Sequence, residues 1–148
     1  TDPDQWPSHV GHEAAGLSLL NQIESRLHVP KEHAQLSRLV CEHHTKLHRV
    51  KELKPATVLN LLESLDAFRR PERLDKFLLA CEADARGRTG LETRDYPQNA
   101  YLKTLLLSAS AIDSRAVLAA SRAEPKAAIY EARLSTITKT IESLKHDQ

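Results

Sequence analysis

The stretch that decides the fold runs from residue 54 to residue 85 and reads KPATVLNLLESLDAFRRPERLDKFLLACEADA. Apolar residues recur in it every three or four positions, which is the spacing of one face of an α-helix. Arg70 and Pro71 divide the stretch, and Pro71 suits the first position of a second helix. The pattern therefore predicts two consecutive amphipathic helices.

The same helical spacing extends along the whole chain. Glycine is scarce, with four residues, and no segment shows sustained alternation of β-branched residues. We expect an all-α fold of six or seven helices. The predicted helices cover about residues 10–27, 31–47, 54–65, 71–85, 97–111, 114–121 and 125 to near the C-terminus.

The composition fits one ordinary domain of 148 residues, of which 41% are hydrophobic and 28% charged. A net charge of +1 argues against a strongly basic nucleic-acid coat protein. No signal peptide is visible in the sequence and no apolar run approaches the roughly 18 residues that a membrane span needs, so we expect a cytoplasmic protein. Cys41 and Cys81 are predicted to be free thiols. The lack of methionine suggests a piece of a longer product.

Histidine is the most unusual feature of the composition, with eight residues. His44 and His48 are four residues apart and share a helix face, a spacing that can chelate a metal ion. No glutamate lies between them, so the metalloprotease motif H-E-x-x-H is absent. The residues alone leave two interpretations open, ordinary structural histidines or part of a metal site with an aspartate as oxygen ligand. The candidates for such a site are two histidine clusters, His9 with His12 and His43 with His44 and His48, together with Asp66 or Asp84 as the oxygen ligand.

Residues 82–90 read EADARGRTG and place two arginines beside two glycines at the end of a predicted helix. Arginine offers forked donors, and glycine lets the backbone come close to a ligand, so the segment is a candidate phosphate-binding site. The alternative is a helix-capping glycine with arginines that pair with nearby acidic residues. The sequence holds no P-loop, dinucleotide-binding or nucleophile-elbow motif, and no paired carboxylates typical of nucleotidyl transfer.

Four segments carry a family resemblance: QWPSHVGH at 5–12, RLVCEHH at 38–44, EADARGRTG at 82–90 and DYPQ at 95–98. They resemble the C-terminal half of bacterial CCA-adding enzymes, the multifunctional, HD-containing tRNA nucleotidyltransferases. The similarity covers roughly residues 5–105. It implies that residues 1–68 are the remnant of an HD domain and that residues 69–148 form a helical body and tail that bind tRNA.

The resemblance also implies what the whole enzyme does. Its head adds CCA to tRNA from CTP and ATP with Mg²⁺, and its HD domain uses a divalent transition metal for cyclic phosphodiesterase and phosphatase activities. The head and the His-Asp pair of the HD domain would lie upstream of Thr1. His44 and either His9 or His12 match later members of the HD pocket, and Thr45 stands where relatives can carry Asp. The candidate tRNA contacts are Arg86, Arg88, Arg94 and Lys103.

We therefore expect this chain to bind tRNA, to hold no cofactor tightly, to avoid membranes and to be inactive alone. Apolar faces uncovered by the truncation would favour self-association. The alternative is a helical RNA-binding or protein-interaction module with no catalytic role.

Overall fold

A computed structural model describes residues 11–146, and in that range all the regular structure is helical. The α-helices are α1 (His12–Arg26), α2 (Lys31–His48), α3 (Pro55–Ser64), α4 (Pro71–Arg86), α5 (Gln98–Ser110), α6 (Ser114–Ala120) and α7 (Pro125–His146). A 3-10 turn (Val50–Glu52) joins α2 to α3. The prediction of an all-α fold is confirmed.

The helices begin where local sequence signals place them. Pro55 and Pro71 occupy the first positions of α3 and α4, where a missing backbone N–H removes no helical hydrogen bond. The Asp113 carboxylate caps α6 by accepting hydrogen bonds from two backbone N–H groups of its first turn, at 2.9 and 3.1 Å. Helix α1 begins at His12, slightly later than predicted, because Gly11 before it adopts a left-handed conformation with φ of 80°.

The hydrophobic core gathers the end of α2 with α3, α4, α5 and α7. Phe77 of α4 is fully buried within it, and burial of each such side chain contributes about 1.5–3 kcal/mol to folding. The apolar positions predicted for α3, α4 and α5 are buried. They are Val58, Leu61, Leu62, Leu65, Leu74, Phe77, Leu78, Cys81, Leu102, Leu105, Leu106 and Ala109.

Helix α1 differs from the others because it buries none of its residues. Its apolar stripe correctly predicts a helix, but Leu19, Ile23 and Leu27 remain 57%, 45% and 59% exposed. The helix packs on α2, and an ion pair between Arg38 and Glu24, at 2.6 Å, joins the two. The described residues therefore cover only part of the apolar face of α1.

The predicted division between residues 68 and 69 falls within one shared core. Helix α2 packs on α4, and α3 packs on α7, so side chains from both sides of that boundary contact each other. Cys41 and Cys81 are free thiols, as predicted, and burial raises the pKa of Cys81 to about 12. None of the helices within residues 11–146 combines the length and apolar character needed to cross a bilayer.

Candidate functional site

The candidate site lies where α2 and α4 end together. The two helices run parallel, since Arg73 near the start of α4 donates to Gln35 in the first half of α2, at 3.2 Å, while His48 at the end of α2 contacts Asp84 in the last turn of α4. This packing collects histidines from α1 and α2 and arginines from the segment after α4 at one end of the molecule.

Two histidines from different helices form the first part of the site. The Nε2 atoms of His12, at the start of α1, and His44, in α2, are 3.1 Å apart. His44 donates from Nδ1 to the backbone carbonyl of Val40 at 3.0 Å, with that of Cys41 also close at 3.2 Å. Because Nδ1 carries a proton, the Nε2 lone pair of a neutral His44 is directed toward His12.

This geometry fits two ligands of one metal ion. With metal–nitrogen bonds of about 2.0–2.1 Å, neighbouring nitrogen ligands lie roughly 2.9–3.4 Å apart. The bond from His44 to a backbone carbonyl is also the outer-shell support that metal-binding histidines usually have. Within residues 11–146, however, no group of three or more histidine, cysteine, aspartate or glutamate residues is arranged to hold a metal ion. The described residues thus supply half of a typical ligand set.

An ionised carboxylate lies next to this pair. Glu13 accepts a hydrogen bond from Thr45 at 2.8 Å, and one carboxylate oxygen is 3.7 Å from Nδ1 of His12. Its pKa is lowered by a hydrogen bond to its own backbone N–H and by the Thr45 hydroxyl. Thr45 thus positions an acidic side chain beside the histidine pair.

His48 forms the second part of the site and is held from both sides. Its Nε2 lies 3.0 Å from an Asp84 carboxylate oxygen, and its Nδ1 lies 2.8 Å from the Tyr96 hydroxyl. Asp84 can only accept, so Nε2 carries the proton, and a neutral His48 accepts from Tyr96. Burial raises the pKa of the Tyr96 phenol, which keeps that proton in place. The ring of His48 is edge-on to His44, with 5.7 Å between centroids.

Three arginines, one at the end of α4 and two in the loop after it, have different roles. Arg86 is engaged within the protein, because it pairs with Glu82 at 2.6 Å and donates to the Arg94 carbonyl at 2.9 Å. The side chains of Arg88 and Arg94 have no hydrogen-bond or ion-pair partner among residues 11–146, and both line one pocket of about 160 Å³ with His48.

Three of the acidic residues close to these arginines have other partners. Glu82 is shared between Arg86 and Asn99, Asp84 is bonded to His48, and Glu92 accepts hydrogen bonds from backbone N–H groups of its own loop, which lower its pKa. The sequence left two interpretations of segment 82–90 open, phosphate binding or pairing of its arginines with nearby acidic residues. Arg86 follows the second, because it pairs with Glu82. Arg88 and Arg94 instead line an open pocket, which Asp84 also lines.

The structure places the remaining predicted residues as follows. Asp66 lies in the turn after α3, where hydrogen bonds from Arg69 lower its pKa, and it takes no part in the histidine cluster. Asp84 does join the cluster, through His48. Lys103 is paired with Asp75 at 2.6 Å, between α5 and α4. The prediction for His9 falls outside the described residues.

Sequence reasoning missed the central position of His48 and the contribution of Tyr96. The spacing of four residues from His44 was a signal for His48, since it places both rings on one helix face. Tyr96 carries no comparable signal, because it is 48 residues from the histidine that it contacts.

Comparison with known proteins supplies an independent result. The chain is 49% identical over 139 residues to the multifunctional CCA protein of Alcanivorax borkumensis and 45% identical over 139 residues to that of Pseudomonas aeruginosa, in each case covering 93% of this chain and 34% of the relative. The protein of the same name from Stenotrophomonas maltophilia is 49% identical over 115 residues.

No family model and no solved structure matches the chain. The chain spans about a third of the length of the curated relatives that it matches. At 45–49% identity over almost all of its own length, the chain is similar to one portion of the multifunctional CCA proteins.

Proposed function

We propose that this chain is the tRNA-holding, C-terminal portion of a CCA-adding enzyme. The whole enzyme would add C, C and A to tRNA from CTP and ATP with Mg²⁺, in a part of the protein that this chain does not contain. The name shared by the relatives and their identity to this chain support the proposal. A cytoplasmic location belongs to the same proposal.

The observation that carries tRNA binding is that Arg88 and Arg94, which have no hydrogen-bond or ion-pair partner among residues 11–146, line one pocket. Guanidinium groups without a protein partner bind phosphate through paired N–H donors. Contacts to phosphate position an RNA without reading its sequence, which suits an enzyme that acts on every tRNA. Arg86 supports the same segment, through its bond to the Arg94 carbonyl, instead of contacting RNA itself.

The proposal also includes a partial HD-type phosphohydrolase site. His12 and His44 would hold a divalent transition metal, which supplies Lewis-acid activation of water and of a phosphate when bound. Two imidazoles bind such an ion weakly, so we expect the isolated chain to show neither nucleotide incorporation nor cyclic phosphodiesterase activity. Either activity in a pure preparation supplied with metal and free of the full-length enzyme would contradict this part of the proposal.

Measurement of tRNA binding across a salt series tests the main proposal. The logarithm of the binding constant should fall linearly with the logarithm of the salt concentration, because each phosphate contact releases counterions. In the variant R88A/R94A the slope should decrease in magnitude by roughly one per lost contact. The matched control is Arg115→Ala, an exposed arginine in α6 outside the pocket. Absence of binding at low salt would contradict the proposal.

Self-association of the isolated chain is a separate part of the proposal. Leu19 and Ile23 of α1 and Leu27 directly after it are exposed, and apolar faces of this kind tend to associate in water. Light scattering over a concentration series should show a mass above that of the monomer. A monomer at all concentrations would count against this part alone.

A further inference from the structure

We propose that the chain has a second RNA-binding surface, at the turn between α3 and α4, which holds the phosphate backbone of helical RNA. The inference rests on the proposed function in taking RNA as the partner, but it uses different residues. The turn, residues 65–70, separates two pockets: residues 66, 68 and 69 line one, and residues 70, 72 and 73 line the other. The two pockets and the turn between them are called the turn surface below.

The first pocket lies between the starts of α2 and α4. Arg73 donates to the neutral amide of Gln35 at 3.2 Å, and the exposed Lys31 has no ion-pair partner among residues 11–146. Both carboxylates of the lining count against these charges, and one of them, Glu32, pairs with Lys76. The pocket still keeps an excess of two positive charges, since its lining holds Lys31, Arg70, Arg73 and Lys76 against Glu32 and Glu72.

The second pocket lies between the turn and α7. Its cations are Arg69, Lys126 and Arg133, and its carboxylates are Glu63 and Asp66. Arg69 donates twice to Asp66, at 2.6 and 2.9 Å, whereas the exposed Lys126 has no ion-pair partner in the described part of the chain. With all four carboxylates counted, the turn surface keeps an excess of three positive charges, although the whole chain carries only +1. Positive charge is therefore concentrated here.

The Arg133 guanidinium is partly removed from water without an ion-pair partner among residues 11–146. It lies over the Phe68 ring, 3.7 Å from the ring centre, and its Nε is buried with no hydrogen-bond partner. Burial lowers the pKa of Arg133, and the Glu63 carboxylate, which acts in the opposite direction, offsets this effect only in part. A charge in such surroundings costs free energy, and an anion in the adjoining pocket would reduce that cost.

The spread of these charges favours a polyanion over a single ion. Lys31 and Arg73 lie on one side of the turn, and Lys126 and Arg133 lie on the other. A ligand that meets both sides must carry several negative charges along its length, as a nucleic-acid backbone does.

The lining of the two pockets favours helical RNA over an unpaired strand. Phe68 is the only aromatic residue among the described residues that line them, and its ring is covered by Arg133 and packed against the core. No ring is therefore free to stack on an exposed base. The surface can contact phosphates without reading bases, which suits a helix whose bases are stacked inside.

The turn surface and the pocket of Arg88 and Arg94 lie at opposite ends of α2 and α4. Both helices begin at the turn surface, and both end beside the histidine cluster. At about 1.5 Å per residue, the 18 residues of α2 span roughly 27 Å. Sites this far apart share no side chain, so losses of RNA binding at the two ends should add.

The test measures binding of an RNA hairpin to the 148-residue chain across a salt series. The variant K31A/K126A removes one exposed lysine from each pocket. The salt slope should decrease in magnitude by about two, one for each lost phosphate contact, and the affinity at low salt should fall at least roughly tenfold. Combination with R88A/R94A should add the two losses.

The matched control is K54A/K139A, which removes two exposed lysines outside both pockets. It makes the same change in net charge and should leave the salt slope close to that of the wild type. Circular dichroism checks that both variants remain folded, as expected for exposed side chains.

The variant R133M tests the buried guanidinium separately. Methionine is flexible enough to cover the Phe68 ring, and loss of a buried charge that has no ion-pair partner offsets the lost contact with that ring. The melting temperature should therefore stay close to that of the wild type, while the salt slope for RNA decreases by about one. Unchanged RNA binding by R133M would remove Arg133 from the turn surface.

The outcomes separate this inference from the proposed function. Wild-type binding by K31A/K126A, or an equal loss in K54A/K139A, would overturn the inference and leave tRNA binding intact. Tighter binding of an unpaired strand than of the hairpin would overturn the assignment to helical RNA. A loss in K31A/K126A without one in R88A/R94A would support the turn surface and contradict the role proposed for the two arginines. Absence of RNA binding by the wild-type chain at low salt would contradict both proposals.

Discussion

Replacing Gly16 with alanine would test how closely α1 packs on α2. Gly16 lies within α1, and a Cβ atom built on it would come within 2.5 Å of the Cys41 sulfur in α2. Favourable contacts between non-bonded carbon atoms lie at about 3.5–4.0 Å, so either the Cys41 side chain must rotate away or the two helices must separate by roughly 1 Å. The substitution therefore acts on the contact that holds His12 against α2.

The expected magnitude follows from two opposing effects. Overpacking costs about 1–3 kcal/mol, and the better helix propensity of alanine offsets about 0.5–1 kcal/mol of it. We expect Gly16→Ala to weaken the docking of α1 by about 1–2 kcal/mol. Helix α1 buries none of its own residues, so the loss should appear as local opening of α1 more than as unfolding of the core.

Native-state amide hydrogen exchange is the appropriate assay. Exchange of α1 amides should accelerate roughly fivefold to thirtyfold, as 1–2 kcal/mol implies, while amides of α3 and α4 keep their rates. The NMR signals of the His12 and His44 rings should shift as well, since the displaced helix carries His12 to its partner 3.1 Å away.

A double-mutant cycle identifies the cause. Cys41→Ala removes the sulfur that the new methyl group would meet, together with a weak hydrogen bond from that sulfur to the Glu13 carbonyl. In the C41A background, Gly16→Ala should be neutral or stabilise α1 by up to about 1 kcal/mol. The same cost in both backgrounds, or no cost in the wild-type chain, would refute the reasoning.

Three further predictions concern the core, the pH dependence of stability and thiol reactivity. Phe77→Ala should lower the free energy of unfolding by about 3–5 kcal/mol in urea titrations, whereas Leu79→Ala, at a side chain 68% exposed, should change it by no more than about 0.5 kcal/mol. The pKa of Asp66 is lowered in the folded protein, so the ionised carboxylate stabilises the fold fully at pH values above its usual pKa of 3.8. This stabilisation is lost as the pH falls through the lowered pKa. The difference in melting temperature between the wild type and Asp66→Asn should therefore disappear at that low pH. Cys41 should react with iodoacetamide well before Cys81, which is buried with a pKa of about 12, and mass spectrometry should show equal labelling only after denaturation.

The fold was largely predictable because its signals are local. Pro55, Pro71 and Asp113 mark helix starts through chemistry that involves only the next few residues. The apolar spacing of α3, α4 and α5 identified their buried faces for the same reason. Helix α1 shows the limit of this reasoning, because the spacing of Leu19 and Ile23 predicts a helix but cannot say whether another element covers its face.

The candidate site was predictable in its residue types but not in its pairings. The sequence of segment 82–90 indicated phosphate binding as one of two interpretations. It could not show which of the arginines would form ion pairs with the acidic residues nearby. The structure assigns Glu82 to Arg86 and Asp84 to His48, and so leaves Arg88 and Arg94 available. The outcome depends on His48, which comes from a different helix.

The sequence by itself determined the all-α class, the helix boundaries to within a few residues, the core positions of α3 to α5 and the similarity to multifunctional CCA proteins. Each of these depends on neighbours a few positions apart or on the identity of residues along the chain. Only the tertiary structure decided that His12 meets His44, and that His48 lies between Asp84 and Tyr96. Those partners are 32 to 48 residues apart, and the packing of α1 and α4 on α2 brings them within hydrogen-bond distance.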